Sequence, residues 1–143
     1  MKNETKNEKL KAGKEMLYSV FRVFVGLLFM THGAQKFGLI GTGSVSAFAG
    51  FFSLPLPLAY AAAITELIGG AMIALGLFSG IAAALGSVVA ITALAMAHFP
   101  KSPWPWANGG ELAMMFLFSF MAIIANGSGK YSLDRLIKRK TGG

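Results

Sequence analysis

The stretch LAYAAAITELIGGAMIALGLF (58–78), the pair Ser79-Gly80, and the stretch IAAALGSVVAITALAMAHF (81–99) together decide the fold of this chain. Each apolar run is about 20 residues long, which at roughly 1.5 Å per helical residue matches the hydrocarbon core of a bilayer. Glu66 is the single acidic or basic residue other than histidine in either run. Two residues of linker leave room only for a reversal, so the pair of runs predicts a tight helical hairpin.

Working outward, residues 16–35 form another apolar run containing one charge, Arg22, and residues 111–125 form a further run opening on Glu111. The pattern predicts an all-α integral membrane four-helix bundle over residues 16–127, with spans at about 16–35, 58–78, 81–99 and 111–125. Residues 37–57 carry no charge, but Gly38, Gly41, Gly43, Pro55 and Pro57 interrupt them too often for a span. They predict a short amphipathic or re-entrant segment, with Ser44 as its N-cap and Phe48, Phe51 and Phe52 as its apolar face. The loop PKSPWPWANGG (100–110) carries two Trp residues suited to the membrane–water boundary.

Composition agrees. Of the 143 residues, 55% are hydrophobic and 13% charged, against about 25% charged in soluble domains. A net charge of +7 would suit a nucleic-acid partner if it covered a surface, but ten of the thirteen Lys and Arg residues lie in the two tails. That distribution is a topology signal. Lys2, Lys6, Lys9, Lys11 and Lys14 precede the first span, and Lys130, Arg135, Lys138, Arg139 and Lys140 follow the last. The outer connections hold only Lys36 and Lys101, so both tails are expected in the cytoplasm. Residues 1–15 read as a flexible cytoplasmic tail or short surface helix, and residues 128–143 as a basic interfacial tail capped by Ser132. The first run has no small-residue cleavage site at its end and is expected to be retained. With no cysteine in the chain, disulfides, dithiol redox centres and thiolate metal sites are excluded, and no Glu-x-x-His pair suggests another metal site.

Charges inside a span cost at least about 2.5–3.5 kcal/mol each, so each needs a partner or a purpose. At 100° per residue, Arg22, Gly26, Phe29, Gly33 and Lys36 fall within about 40° of one line, with His32 beside it. In the second span Ala62, Glu66, Gly70 and Ala74 recur every four residues, placing Glu66 in a small-residue stripe that faces protein. Alternating span directions then bring His32, Gln35, Lys36, His98, Asn108 and Glu111 to one outer level, with Glu66 roughly 12 Å deep from the same side. One outer-half pocket would collect them, roofed by Phe48, Phe51 and Phe52. Each residue also has a role that needs no ligand. Glu66 and Arg22 would neutralise each other, the histidines would bond loop carbonyls, Lys36 would snorkel, and Asn108 and Glu111 would cap a helix.

Arg22, then GxxK at Gly33 to Lys36, ExxGG at Glu66 to Gly70, His98, NGGE at 108–111 and GxGKYSLD at Gly127 to Asp134 follow one another in an order that resembles the DoxX family of small four-helix membrane proteins. The resemblance covers about residues 17–137. It implies the plasma membrane of a bacterium or archaeon and a link to redox assemblies, since members are commonly labelled oxidoreductases and relatives include a membrane subunit associated with thiosulfate:quinone oxidoreduction. Arg22, Lys36, Glu66, His98, Asn108 and Glu111 are the positions it singles out.

The leading expectation is a membrane subunit of a redox system, an accessory rather than a complete enzyme, binding a quinone or similar apolar ligand. Glu66, His98 and Glu111 would handle protons, while Arg22, His32, Lys36, Asn108, Phe48 and Phe52 would hold the ligand. A redox protein partner would carry the electrons, and the chain would pair with itself if a larger pore were required. The alternatives are a non-enzymatic scaffold or assembly protein and a small proton-coupled transporter. On orientation, a reporter active only outside the cytoplasm and fused to Gly143 should give no signal.

Overall fold

The computed structural model describes residues 2–141, and the side chains from Lys6 onward. Met1, Gly142 and Gly143, the extremes of the two basic tails, lie outside the described residues. The described residues form helices and no strand. Helix α1 runs Lys2–Lys36, α2 Val45–Phe51, α3 Leu56–Leu75, α4 Ser79–His98, α5 Pro105–Asn108, α6 Glu111–Asn126 and α7 Leu133–Thr141. Three of these, in α1, α3 and α4, are long and apolar enough to cross a membrane, while α6 is a shorter apolar helix.

The N-terminal tail is neither loose nor separate: α1 continues through it without a break for 35 residues. Its Lys and Glu residues are good helix formers, Glu8 and Lys11 and then Lys11 and Glu15 fall at supporting spacings, and the adjoining span supplies the nucleus. At 1.5 Å per residue the helix is about 50 Å long, some 20 Å more than the hydrocarbon core requires.

Helix α1 and α3 meet backbone to backbone. A Cβ on Gly26 would sit 2.6 Å from the Gly70 carbonyl oxygen and 2.8 Å from Ala74 Cα; one on Gly33 would sit 2.7 Å from Leu67 Cα and 2.8 Å from the Ala63 oxygen. Gly70 returns the contact, its hydrogen facing Met30. Such close approach is how helices associate where lipid is as apolar as leucine. The stripe on α3 differs from the every-fourth-residue reading, because a series at i+4 drifts by about 40° per step. Ala63 and Leu67, not Ala62 and Glu66, oppose Gly33. Glu66 is thereby turned off the seam.

Val25 and Phe29 of α1, Ile73 of α3, Ala82 and Ala83 of α4, and Phe116, Phe120 and Ile123 of α6 share one buried core. Phe29 meets the Phe120 ring edge-on at 4.8 Å between centroids and tilts against Phe116 at 5.4 Å. The ring of Phe120 fills the space over Gly86, whose absent Cβ would lie 2.8 Å from it.

The hairpin turn falls earlier than Ser79-Gly80. Gly76 takes the left-handed conformation (φ 73°) that ends α3, with its N–H donating to the Ile73 carbonyl at 3.1 Å and the Leu77 N–H to that of Met72 at 2.9 Å. Phe78 also has positive φ, 47°, and Ser79 already opens α4. At the other end of α3, Pro55 and Pro57 sit at and just inside the start, where a missing N–H costs nothing. Helix α2 is capped by Ser44, whose Oγ accepts from the Ala47 N–H at 3.1 Å. It packs through Val45 and Ala49 against Ala59 and Ala63 of α3, with Phe48 alongside. Phe51 belongs to another side and is 75% exposed.

If the glycine seam holds the bundle, Gly26→Val and Gly33→Val should each cost about 3 kcal/mol, lowering the melting temperature in detergent by roughly 10 °C. Gly80→Ala, with nothing within 4 Å of the added carbon, should leave it unchanged.

Candidate functional site

At the end of the bundle where α1 and α4 finish and α3 and α6 begin, the helices part around a cavity of about 730 Å³. Phe29, His32 and Lys36 of α1, Phe48 and Phe52 at α2, Glu66 and Thr65 of α3, His98 of α4 and Phe116 of α6 are among its lining residues. Most of the wall is aliphatic. Leu58 and Val88 line it while remaining 58% and 61% exposed on the outer surface of the bundle, so the cavity opens along the flank between α3 and α4.

Its polar feature is an ion pair between Lys36 Nζ and Glu66 Oε2. Both side chains are largely buried, and the ammonium also lies 4.4 Å from the centroid of the Phe48 ring, a cation–π contact. Among the described residues, Glu66 Oε1 receives no hydrogen bond. The pair corrects the expectation that Glu66 would neutralise Arg22. Helix geometry explains it: Lys36 ends α1 at the level where Glu66 lies in α3, whereas Arg22 is 14 residues away along α1, about 21 Å.

Both Glu66 and His98 sit in π-helical turns, Thr65–Gly69 and Leu94–His98. Such single wide turns inside α-helices are frequent at functional sites, since one extra residue re-aims its neighbours. The His98 Nδ1 lies 3.1 Å from the Asn108 carbonyl oxygen. A carbonyl only accepts, so Nδ1 donates in this contact, and in the neutral ring Nε2 is the nitrogen that keeps the lone pair. Asn108 is itself fixed. Its Nδ2 donates to the Ser102 carbonyl at 2.7 Å, and its Oδ1 accepts from the Gly110 N–H at 2.7 Å. The NGGE motif therefore holds His98 in one tautomer.

Of the residues singled out in the sequence, His32, Lys36, Phe48, Phe52, Glu66 and His98 line the cavity. Asn108 stands behind His98. Glu111 is exposed, opens α6, and is not in the cavity wall; its carboxylate suits the helix N-terminus. Thr65, Phe29 and Phe116 also form part of the wall without having been singled out. For the two Phe residues the available signal was core periodicity, which does not distinguish a core from a cavity wall.

A family profile described as DoxX matches residues 17–99. The chain belongs to the DoxX family. With three helices suited to crossing a bilayer, it is a multi-pass membrane protein. A DoxX relative named "Putative oxidoreductase CatD", from Bacillus subtilis, is 32% identical over 119 residues, 82% of this chain and 84% of the relative. An "Uncharacterized protein" of Haemophilus influenzae is 30% identical over 122 residues, 83% of this chain and 89% of its own. No solved structure is a significant match.

Arg22 of this DoxX protein lies at the opposite end of the bundle, 1% exposed. Its guanidinium donates to the carbonyls of Ile73, of Ala74 at 2.8 Å and of Tyr131 at 2.9 Å. Two of these carbonyls lie in the last turn of α3, where a cation meets the favourable end of the helix dipole. The GSGKYSLD motif surrounds it. Tyr18 Oη donates to the Gly127 carbonyl at 2.5 Å, and Asp134 Oδ2 accepts from the Phe78 N–H at 3.0 Å and from Ser128 Oγ at 2.6 Å. Arg22 and this motif clamp the α3–α4 turn; they do not line the cavity.

Because the pair is buried, Glu66→Gln alone should destabilise the protein by about 3 kcal/mol, leaving an uncompensated ammonium, while Lys36→Met with Glu66→Leu should recover most of the loss. Unfolding of the single and double variants in detergent measures the coupling. Arg22→Met combined with Glu66→Gln should instead give additive losses.

Proposed function

We propose that this DoxX protein is a membrane subunit of a redox system, and that it binds a quinone or a similar apolar, ring-bearing ligand in the cavity at Lys36, Glu66, His32 and His98. The observation that carries the reading is an ion pair set into the wall of a mostly apolar cavity, with His32 and His98 in the same wall. A purely structural pair would be expected to close on packed side chains instead. The name of the Bacillus subtilis relative supports a redox role.

The residues fit such a ligand. A quinone needs flat apolar walls, a donor for a carbonyl oxygen and a route for protons, and the cavity offers Phe29, Phe48 and Phe116, the Lys36 ammonium, and Glu66 with His98. When bound, a quinone supplies the two-electron, two-proton chemistry that no side chain here provides. Lys36 would hold positive charge for a ligand oxygen in this wall. Glu66, through its unbonded Oε1, and His98 would be the groups that hold or release a proton beside it. Phe48 and Phe52 screen the polar wall from water. Electrons come from a protein partner.

This reading takes the four apolar helices as four crossings with both tails in the cytoplasm, which puts the cavity in the outer half of the bilayer. It favours entry of the ligand from lipid, through the flank between α3 and α4. Solvent extraction of the purified protein followed by mass spectrometry tests it. Quinone should be retained by the wild type and fall at least tenfold in His98→Gln, which leaves the ion pair intact. Retention of no quinone, with the variants altering stability alone, would favour the scaffold reading, and proton or solute flux in liposomes would favour the transporter.

A further inference from the structure

Helix α7 (Leu133–Thr141) has two faces, and beyond its first turn both are exposed among the described residues. At 100° per residue, Leu133, Leu136 and Ile137 fall on one side, and Arg135, Lys138 and Arg139 lie within about 100° of arc on the other. Leu136 and Ile137 are 54% and 50% exposed. Only the first turn is attached. The Asp134 N–H donates to the Gly76 carbonyl at 3.1 Å, and its carboxylate accepts from Phe78 and Ser128. These bonds fix the start of α7 against the α3–α4 turn, at the end of two membrane-crossing helices.

The charges on this helix are uncompensated. Asp134 is the one acidic residue among residues 128–143, and it is occupied by internal hydrogen bonds, against five basic residues in the same stretch. Residues 1–15 differ, since Glu4, Glu8 and Glu15 offset three of their five lysines. A soluble acidic protein or a nucleic acid would match the basic face but leave Leu136 and Ile137 in water. A zwitterionic lipid surface would cover the apolar side and do little for the charges.

We infer that α7 lies in the plane of the membrane surface and binds anionic phospholipid headgroups through Arg135, Lys138 and Arg139, with Leu133, Leu136 and Ile137 dipped among the acyl chains. Lys140 falls in the middle of the apolar face but in the last turn, where its stem extends over lipid and its charge reaches the headgroups. Each basic residue near an anionic surface contributes about a factor of five in affinity. Three together give roughly a hundredfold preference over a neutral surface.

The chain has no cysteine, so Leu136→Cys gives a single labelling site for an environment-sensitive fluorophore on the full-length protein. In nanodiscs of phosphatidylcholine containing about a third phosphatidylglycerol, the label should be buried and quenched by nitroxide-bearing acyl chains, and in pure phosphatidylcholine it should be markedly less so. Lys138→Gln with Arg139→Gln, both at exposed positions, should bring the anionic reading down to the neutral one, with detergent melting unchanged. Equal burial in the two lipids, or no effect of charge removal, overturns the inference in favour of purely apolar docking. A label exposed to water in both overturns it in favour of a soluble acidic partner.

Discussion

The rest of the structure depends on the contact of α1 with α3 through Gly26, Gly33 and Gly70. In lipid there is no solvent to drive apolar faces together, so association rests on how many atoms can touch. Removing side chains at these positions lets two backbones approach, and the approach sets everything at the two ends. At one end it brings Lys36 to Glu66. At the other it brings Arg22 to the last carbonyls of α3. Phe29, about one turn beyond Val25 on the same helix, is presented to Phe116 and Phe120 by that same orientation.

The two intramembrane cations are therefore handled by opposite means. Arg22 directs both terminal nitrogens of its guanidinium at backbone carbonyls, which are neutral and fixed, so the group becomes a part of the scaffold. Lys36 is matched by a single carboxylate and an aromatic face. An ammonium on a flexible stem can rotate, and its partner can exchange one bond for another. The first arrangement suits a clamp and the second a site whose occupant changes. The motifs shared with the DoxX pattern thus divide between two tasks, with GxxK, ExxGG and NGGE at the cavity end and Arg22 with GxGKYSLD at the other.

Much of this was legible in the sequence because hydrophobic run length and charge asymmetry are strong, one-dimensional signals. The apolar helices, the Ser44 cap, the glycine face of α1 and the placing of His32, Lys36 and His98 at one end, with Glu66 deeper from the same side, all follow from counting residues. What escaped needed angles or bond partners. The drift of an i+4 series decided that Ala63 and Leu67, rather than Ala62 and Glu66, meet α1. No propensity marks a π-helical turn, so the aim of Glu66 and His98 was not readable. The Arg22 interactions run to carbonyls of residues 73, 74 and 131, and every residue has a carbonyl, so identity alone could not name the partners. Phe51 was grouped with Phe48 by composition, but a seven-residue helix has too few turns for an apolar face to be defined by its residues.

The flank opening between α3 and α4 has a consequence for how tight the cavity needs to be. A hydrophobic molecule partitioned into the bilayer is present there at a concentration orders of magnitude above its aqueous value, since each buried methylene favours the apolar phase by about 0.8 kcal/mol. Occupancy is then governed by the mole fraction of the molecule in the lipid. For a ligand of the kind proposed for this cavity, weak intrinsic binding would then suffice, with a fast off-rate and exchange with the surrounding pool through the flank.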